Sequence, residues 1–121
     1  MLIAGIAVAG ALGAPARYFV DRFIQERTDG RLPVGTLVVN VTGSFLLGFI
    51  VGFALYHSFA DTPRAILGTG FCGAYTTFST FAYETVRMTE DRAFGAAVQN
   101  VGASVVLPAL AAAAGLALAA L

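Results

Sequence analysis

The sequence predicts an all-α integral membrane protein with four transmembrane helices. Hydrophobic residues make up 58% and charged residues 12% of the 121 residues, whereas typical soluble domains have about 45–50% and about 25%. The mean hydropathy is +0.80. Four apolar segments are each close to the roughly 20 residues that span a bilayer core about 30 Å thick. They run approximately from Leu2 to Val20, from Val34 to Tyr56, from Pro63 to Tyr83 and from Phe94 to Leu121.

The first span lacks the basic residues that precede the apolar core of a signal peptide, so we expect it to remain as a mature helix. The segment that follows it, residues 21–31 (DRFIQERTDGR), alternates in charge and contains the turn signal Asp29-Gly30. This pattern predicts a short amphipathic surface helix or a loop. Because all the connections are short, residues 1–121 are expected to form a single transmembrane domain.

Polar and small residues follow one face of the second span. Asn40, Gly43, Ser44 and Gly48 are spaced i, i+3, i+4 and i+8, which places them on the same side of a helix. Such a face serves either as a close-packed seam between helices or as the wall of a ligand path. In the fourth span, the pair at positions 100 and 104, an asparagine and a serine, repeats the i, i+4 spacing. The second stripe favours a path.

The third span contains the unusual stretch GAYTTFSTF, residues 73–81. Gly68, Gly70 and Gly73 precede Thr76 and lower the helix propensity by roughly 1 kcal/mol each relative to alanine. The middle of this helix is therefore predicted to break. Carbonyl groups freed at membrane depth are tolerated where they are buried in protein or line a cavity, which is also where a cation can bind them.

Two aromatic rings of this stretch, Phe78 and Phe81, share one face if the helix resumes. A phenyl ring has a positive edge, so rings turned edge-on toward a path favour a small anion without a full positive charge. The alternative is an aromatic core, with the neighbouring hydroxyl groups bonded to carbonyls of their own helix.

Small residues also bear on assembly. The first two spans each carry several glycines, which let helix backbones approach closely. Four closely packed helices leave little volume for a solvated path within one chain. A pore is therefore expected between copies, and a two-fold dimer is the commonest closed assembly.

The sequence excludes most catalytic chemistry, so we expect a protein that is not an enzyme. Cys72 and His57 are the only residues of their types, and no cluster has metal-ligand spacing. Cys72 is expected to fill apolar space and His57 to lie in an interfacial loop. A different class, a small four-helix proton-coupled multidrug exporter, needs an ionisable group within the membrane. Glu84, at the end of the third span, is a weak candidate for that group.

Three motifs carry a family resemblance. GALGAPARY (residues 10–18), GTLVVNVTGSFLLGF (residues 35–49) and GFCGAYTTFSTFAYE (residues 70–84) resemble, in order and spacing, the signatures of the CrcB/Fluc fluoride channels. The resemblance is close over the first three spans and looser over the fourth. It implies a passive fluoride channel in the prokaryotic cell membrane, built as an antiparallel dual-topology dimer with two pores. It also implies a central structural sodium ion (Na+), held by the backbone carbonyls of Gly73 and Thr76.

The same resemblance implies the pore residues. The aromatic pair maps onto Phe78 and Phe81, and the asparagine that meets the anion maps onto Asn40. A polar track is implied with one hydroxyl from Ser79 or Thr80 and another from Ser104. Two departures stand out: this chain has Asn100 where the family often has tyrosine and Ala74 where it often has glycine. The first departure lies at the fourth-helix end of the track.

The arginines leave two questions open. Arg17, near the end of the first span, either raises the anion concentration in a vestibule or extends to lipid headgroups. The positive-inside rule favours both termini outside. The first and third connections lie on one side and carry five arginines: Arg22, Arg27, Arg31, Arg87 and Arg92. The other side carries only Arg64. This bias fits poorly with strict dual topology, so a heterodimer with a paralogue of opposite bias is the alternative to an antiparallel homodimer.

Overall fold

The computed structural model describes residues 1–121 and is all-helical, without strands. Six α-helices and one π-helical segment follow each other along the chain: α1 (Leu2–Gln25), α2 (Val34–His57), α3 (Asp61–Ala65), the π-helical segment (Ile66–Cys72), α4 (Gly73–Tyr75), α5 (Ser79–Glu90) and α6 (Phe94–Ala119). The predicted all-α architecture is confirmed.

Three of these helices, α1, α2 and α6, are long and apolar enough to cross a membrane. Only 17 of the 121 residues are buried. Large apolar side chains, among them Leu12, Phe45 and Val98, are exposed along all three helices. In water this much exposed apolar surface would be unfavourable, whereas lipid or a second copy of the chain can cover it.

The end of α1 differs from the prediction. Residues 21–31 were expected to form a separate surface helix or loop, but α1 continues through Asp21 to Gln25. An ion pair of 2.7 Å between Arg22 Nε and Glu26 Oε1, one turn apart, supports this polar extension. His57 also differs, since it is the last residue of α2 rather than a loop residue, and its Nε2 lies 2.8 Å from the Ala119 carbonyl oxygen.

Glycines bring the helices into backbone contact, as the small residues of the sequence predicted. Between α2 and α6, a side chain at Gly48 would meet the carbonyl group of Ala112, and one at Gly115 would meet that of Phe45. Between α1 and the π-helical segment, a Cβ at Gly70 would lie 2.9 Å from the Ile6 carbonyl oxygen. These approaches require residues without a Cβ, so α2 packs closely on α6, and α1 packs closely on the π-helical segment.

The chain between Pro63 and Tyr83 is divided among several short elements. Its first part forms α3 and the π-helical segment. The π-helical hydrogen-bonding pattern is rare and is often found at functional sites. The α4 helix ends at Tyr75, Thr76 is extended with φ −78° and ψ 158°, and α5 begins at Ser79. The helical path is thus interrupted between Tyr75 and Ser79, beside the N-terminal half of α2.

Candidate functional site

The interruption is held by the side chain of Asn40. Its Nδ2 donates to the Thr77 carbonyl oxygen over 2.8 Å, and its Oδ1 accepts the Thr77 backbone N–H over 2.9 Å. One amide side chain on α2 therefore satisfies both backbone groups of a residue that has left the helix, which a buried backbone requires.

Two carbonyl groups lose their helical partners as a result. In a continuous α-helix the Thr77 N–H would donate to the Gly73 carbonyl and the Thr80 N–H to the Thr76 carbonyl. The first donates to Asn40 instead, and the second donates to Thr77 Oγ1 over 3.2 Å. The carbonyl oxygens of Gly73 and Thr76, the two named by the family resemblance, are thus left without their usual α-helical donors.

A groove of about 400 Å³ opens next to this interruption. It contains Asn40 and Ser44 from α2, both phenylalanines of the TTFSTF stretch, and Ser104 from α6. Its complete lining is Asn40, Ser44, Leu47, Thr76, Thr77, Phe78, Phe81, Ser104, Val105 and Pro108. Residues predicted from three separate spans therefore meet on one surface, and none of the lining side chains is ionisable.

The two rings at the groove are neighbours but differ in exposure. The centroids of Phe78 and Phe81 lie 5.6 Å apart, and their planes are tilted by 57°. The Phe78 side chain is 77% exposed, whereas Phe81 is half-buried. At this angle the two rings are tilted relative to each other and are not stacked.

A second cavity, of about 200 Å³, is lined by residues of α1 and α2 and by two threonines of residues 73–81. It holds the predicted Arg17 and Thr80 together with residues of α1 and α2. The full lining is Arg17, Tyr18, Asp21, Thr36, Val39, Thr77 and Thr80. Thr77 is the residue that the two cavities share. Of the predicted site residues, Ser79 lines neither cavity, although its hydroxyl lies 3.3 Å from that of Thr77.

Of the two carboxylates near this second cavity, Asp21 was missed by the sequence analysis, whereas Glu84 was considered only as a group for proton coupling. Asp21 lines the cavity, one helical turn after Arg17. Glu84 accepts a hydrogen bond of 2.7 Å from the hydroxyl of Thr36, which is buried. The available signal for Asp21 was its i, i+4 spacing from Arg17, because an acidic and a basic residue one turn apart share a helix face.

The fourth-helix pair predicted as a polar stripe is divided between two roles. Ser104 lines the groove, whereas Asn100 is only 5% exposed and does not. Asn100 Nδ2 donates instead to Thr85 Oγ1 on α5 over 2.9 Å. The structure therefore moves one member of the stripe away from the groove and into the contact between α5 and α6.

Comparison with known proteins gives the family of the chain. The family model described as "CrcB-like protein, Camphor Resistance (CrcB)" matches residues 4–116. The chain belongs to the CrcB family. The resemblance carried by the three sequence motifs is thereby confirmed, and the long apolar helices make this CrcB member a multi-pass membrane protein.

Individual relatives are similar over most of their length. A protein of Nocardia farcinica, named fluoride-specific ion channel FluC 1, is 50% identical over 103 residues, which cover 85% of this chain and 70% of that protein. Its namesake in Leifsonia xyli is 47% identical over 98 residues, or 81% and 72% of the two chains. Fluoride-specific ion channel FluC of Thermococcus onnurineus is 45% identical over 105 residues, or 84% and 82%.

Proposed function

We propose that this chain forms a passive, fluoride-selective channel that lowers the cytoplasmic fluoride concentration. The observation that carries the proposal is the groove in which Asn40, Phe78, Phe81 and Ser104 meet beside the interrupted helix. Relatives that bear the name fluoride-specific ion channel, at 45–50% identity over most of the chain, support it.

The groove offers the kinds of donor that can replace the water around fluoride. One amide hydrogen of Asn40 is used on the Thr77 carbonyl, which leaves the other for an anion. The Ser104 hydroxyl and the positive edges of Phe78 and Phe81 complete the set. A pore conducts when binding is favourable enough for entry and weak enough for exit, and neutral donors meet both conditions better than a fixed cation would.

The same lining argues for passive flow. Proton coupling needs an ionisable group that alternates between the proton and the substrate. The groove contains no ionisable side chain. Asp21 lines the second cavity with Arg17, and Glu84 lines neither cavity and accepts from the Thr36 hydroxyl. Nothing in this arrangement favours a proton-coupled multidrug exporter.

The second cavity is proposed to be the vestibule of the path. Neither of the two ion pairs of the chain, Arg22 with Glu26 and Arg64 with Asp61, involves Arg17. Asp21 lines the same cavity and offsets part of its charge, and Arg17 is the cationic residue there that can raise the local anion concentration. Because Thr77 lines both cavities, the path would lead from the vestibule past Thr77 into the groove, with Thr80 as the hydroxyl of the track on the vestibule side.

We further propose that α3 to α5 form one broken membrane crossing and that two copies assemble as an antiparallel dimer. The groove is open along one side, and the Phe78 ring is 77% exposed there. A second copy would cover this ring and close the path. A C-terminal tag labelled from both sides in cells without a paralogue supports the antiparallel homodimer. Labelling from one side only, with fluoride efflux intact, excludes it, and loss of efflux without a paralogue indicates the heterodimer.

A structural sodium ion at the dimer axis is the third part of the proposal. The carbonyl oxygens of Gly73 and Thr76, whose helical donors bond elsewhere, are hard ligands of the kind that alkali cations prefer. Two copies would supply four such oxygens, and a bound cation would balance their partial charges. Purified protein is expected to melt at a higher temperature in sodium than in choline buffer. Equal melting temperatures over a wide sodium range would contradict this proposal.

Efflux from liposomes tests the main proposal. Vesicles containing the purified protein are expected to release fluoride down its gradient, to release chloride far more slowly and to show no drug uptake driven by a pH gradient. Vesicles without protein serve as the control for leakage. Equal fluoride and chloride release, or drug uptake driven by protons, would refute the assignment.

A further inference from the structure

We propose that Asn100 is a positioning residue for Ser104, and that it controls whether the serine hydroxyl offers its proton to the groove. The inference rests on the proposed function, because it concerns how the groove meets an anion. Asn100 itself is buried and does not line the groove.

A chain of three hydrogen bonds connects the groove to the contact between α5 and α6. The Ser104 hydroxyl donates to Asn100 Oδ1 over 3.5 Å, and Asn100 Nδ2 donates to Thr85 Oγ1 over 2.9 Å. The Thr85 hydroxyl donates to the Phe81 carbonyl over 2.8 Å. Ser104 and Phe81, at the two ends of this series of hydrogen bonds, both line the groove.

The Phe81 carbonyl fixes which group donates in each of these hydrogen bonds. The Phe81 carbonyl can only accept, so the Thr85 hydroxyl must donate to it and has only lone pairs to offer Asn100. The amide nitrogen of Asn100 therefore faces Thr85, and its oxygen faces Ser104. An acceptor next to a hydroxyl attracts its proton, so in the absence of an anion the Ser104 proton points toward Asn100 and away from the groove.

The bond at the Ser104 end is the weakest of the three. At 3.5 Å it lies at the outer limit for a hydrogen bond, whereas the other two lie near the optimum. A fluoride ion in the groove is a stronger acceptor than a neutral amide oxygen, so rotation of the hydroxyl would transfer the hydrogen bond from Asn100 to the anion. Asn100 thus competes with the anion for one proton, and this competition weakens fluoride binding at Ser104.

The test removes the Thr85 hydroxyl, which fixes the direction of these hydrogen bonds. Thr85 does not line the groove. Thr85→Val keeps the shape of the side chain but leaves Asn100 free to turn its amide nitrogen toward Ser104. Ser104 then accepts from Asn100, and its proton is released to the groove. The half-saturating fluoride concentration for efflux is expected to fall by about threefold, the effect of removing one weak competing hydrogen bond, with little change in the maximal rate.

The matched control is Thr89→Val, one turn further along α5. The Thr89 hydroxyl also bonds a carbonyl of its own helix, that of Thr85 over 3.0 Å, but it does not reach Asn100. Each threonine variant is measured with Ser104 intact and with Ser104→Ala. The half-saturating concentration should shift only for Thr85→Val and only when Ser104 is present. Fluoride-dependent thermal stabilisation is measured in parallel, so that a variant with little efflux still reports its affinity.

The outcomes separate this inference from the proposed function. An unchanged affinity in Thr85→Val, or an equal shift with and without Ser104, would overturn the role of Asn100. If the unmodified protein releases no fluoride, the proposed function itself fails. Suppose instead that the unmodified protein and Thr89→Val both conduct, and that Thr85→Val and Ser104→Ala have additive effects on the half-saturating fluoride concentration. The inference alone then fails.

Discussion

Replacing Asn40 with leucine tests how the interrupted helix is held open. The change preserves much of the side-chain volume but removes both hydrogen bonds to Thr77, of 2.8 and 2.9 Å. Hydrogen bonds between helices in membranes contribute about 0.6 kcal/mol on average and up to about 1.7 kcal/mol. Two such bonds therefore predict a loss of about 1–3 kcal/mol in the free energy of unfolding.

The same variant should change the geometry of the freed carbonyl groups. Without Asn40, the Thr77 N–H can return to the Gly73 carbonyl, which restores a helical bond and occupies one of the oxygens proposed for sodium. Asn40→Asp differs, because it keeps an acceptor for the Thr77 N–H while it places a negative charge in the anion path. Stabilisation by sodium is therefore expected to disappear in Asn40→Leu and to persist in Asn40→Asp, while fluoride efflux falls in both.

Equilibrium unfolding in mixed micelles, with and without sodium, measures the stability change, and liposome efflux measures transport. Thr89→Val is the control, since it removes a hydroxyl that bonds only its own helix, and it should change neither quantity appreciably. Normal stability, normal sodium dependence and normal efflux in Asn40→Leu would refute the conclusion that Asn40 holds the interruption.

Four other substitutions test the aromatic rings, the helix packing and the vestibule. Phe81→Ile should reduce fluoride efflux by tenfold or more, since each 1.4 kcal/mol added to the barrier slows passage about tenfold. Its cost in stability, measured by thermal unfolding, should stay below about 1.5 kcal/mol, as for similar hydrophobic exchanges; Phe78→Ile should behave alike. Gly48→Val should prevent recovery of folded protein by size-exclusion chromatography, because the added side chain would meet the Ala112 backbone. Arg17→Gln should lower efflux at low fluoride and weaken its dependence on ionic strength, with the saturated rate unchanged.

The sequence determined the class of the protein through properties that act locally. The length and hydropathy of its apolar segments predict membrane helices without knowledge of their partners, because the thickness of the bilayer sets the length of a spanning helix. Glycines of the first two spans, such as Gly48, predicted close helix contacts for a similar reason, since only residues without a Cβ allow backbones to touch. The boundary of α1 was less predictable, because the pair Arg22 and Glu26 extends the helix past the end of the apolar run.

The candidate site depended on the tertiary structure to a greater degree. Spacing alone left the face of Asn40 open between a packing seam and a path, and the family motifs were needed to choose. The bonds from Asn40 to Thr77 join residues far apart in the chain, so no local pattern could predict that this side chain satisfies that backbone.

The two polar stripes show the same limit. Asn100 and Ser104 look equivalent on a helical projection, but α5 packs against one of them and leaves the other in the groove. Asp21 and Glu84 approach Thr36 from different helices and gave no joint signal in the sequence. Helix formation depends on neighbouring residues, whereas a polar site depends on which donors and acceptors the packing of separate helices brings within about 3 Å of each other.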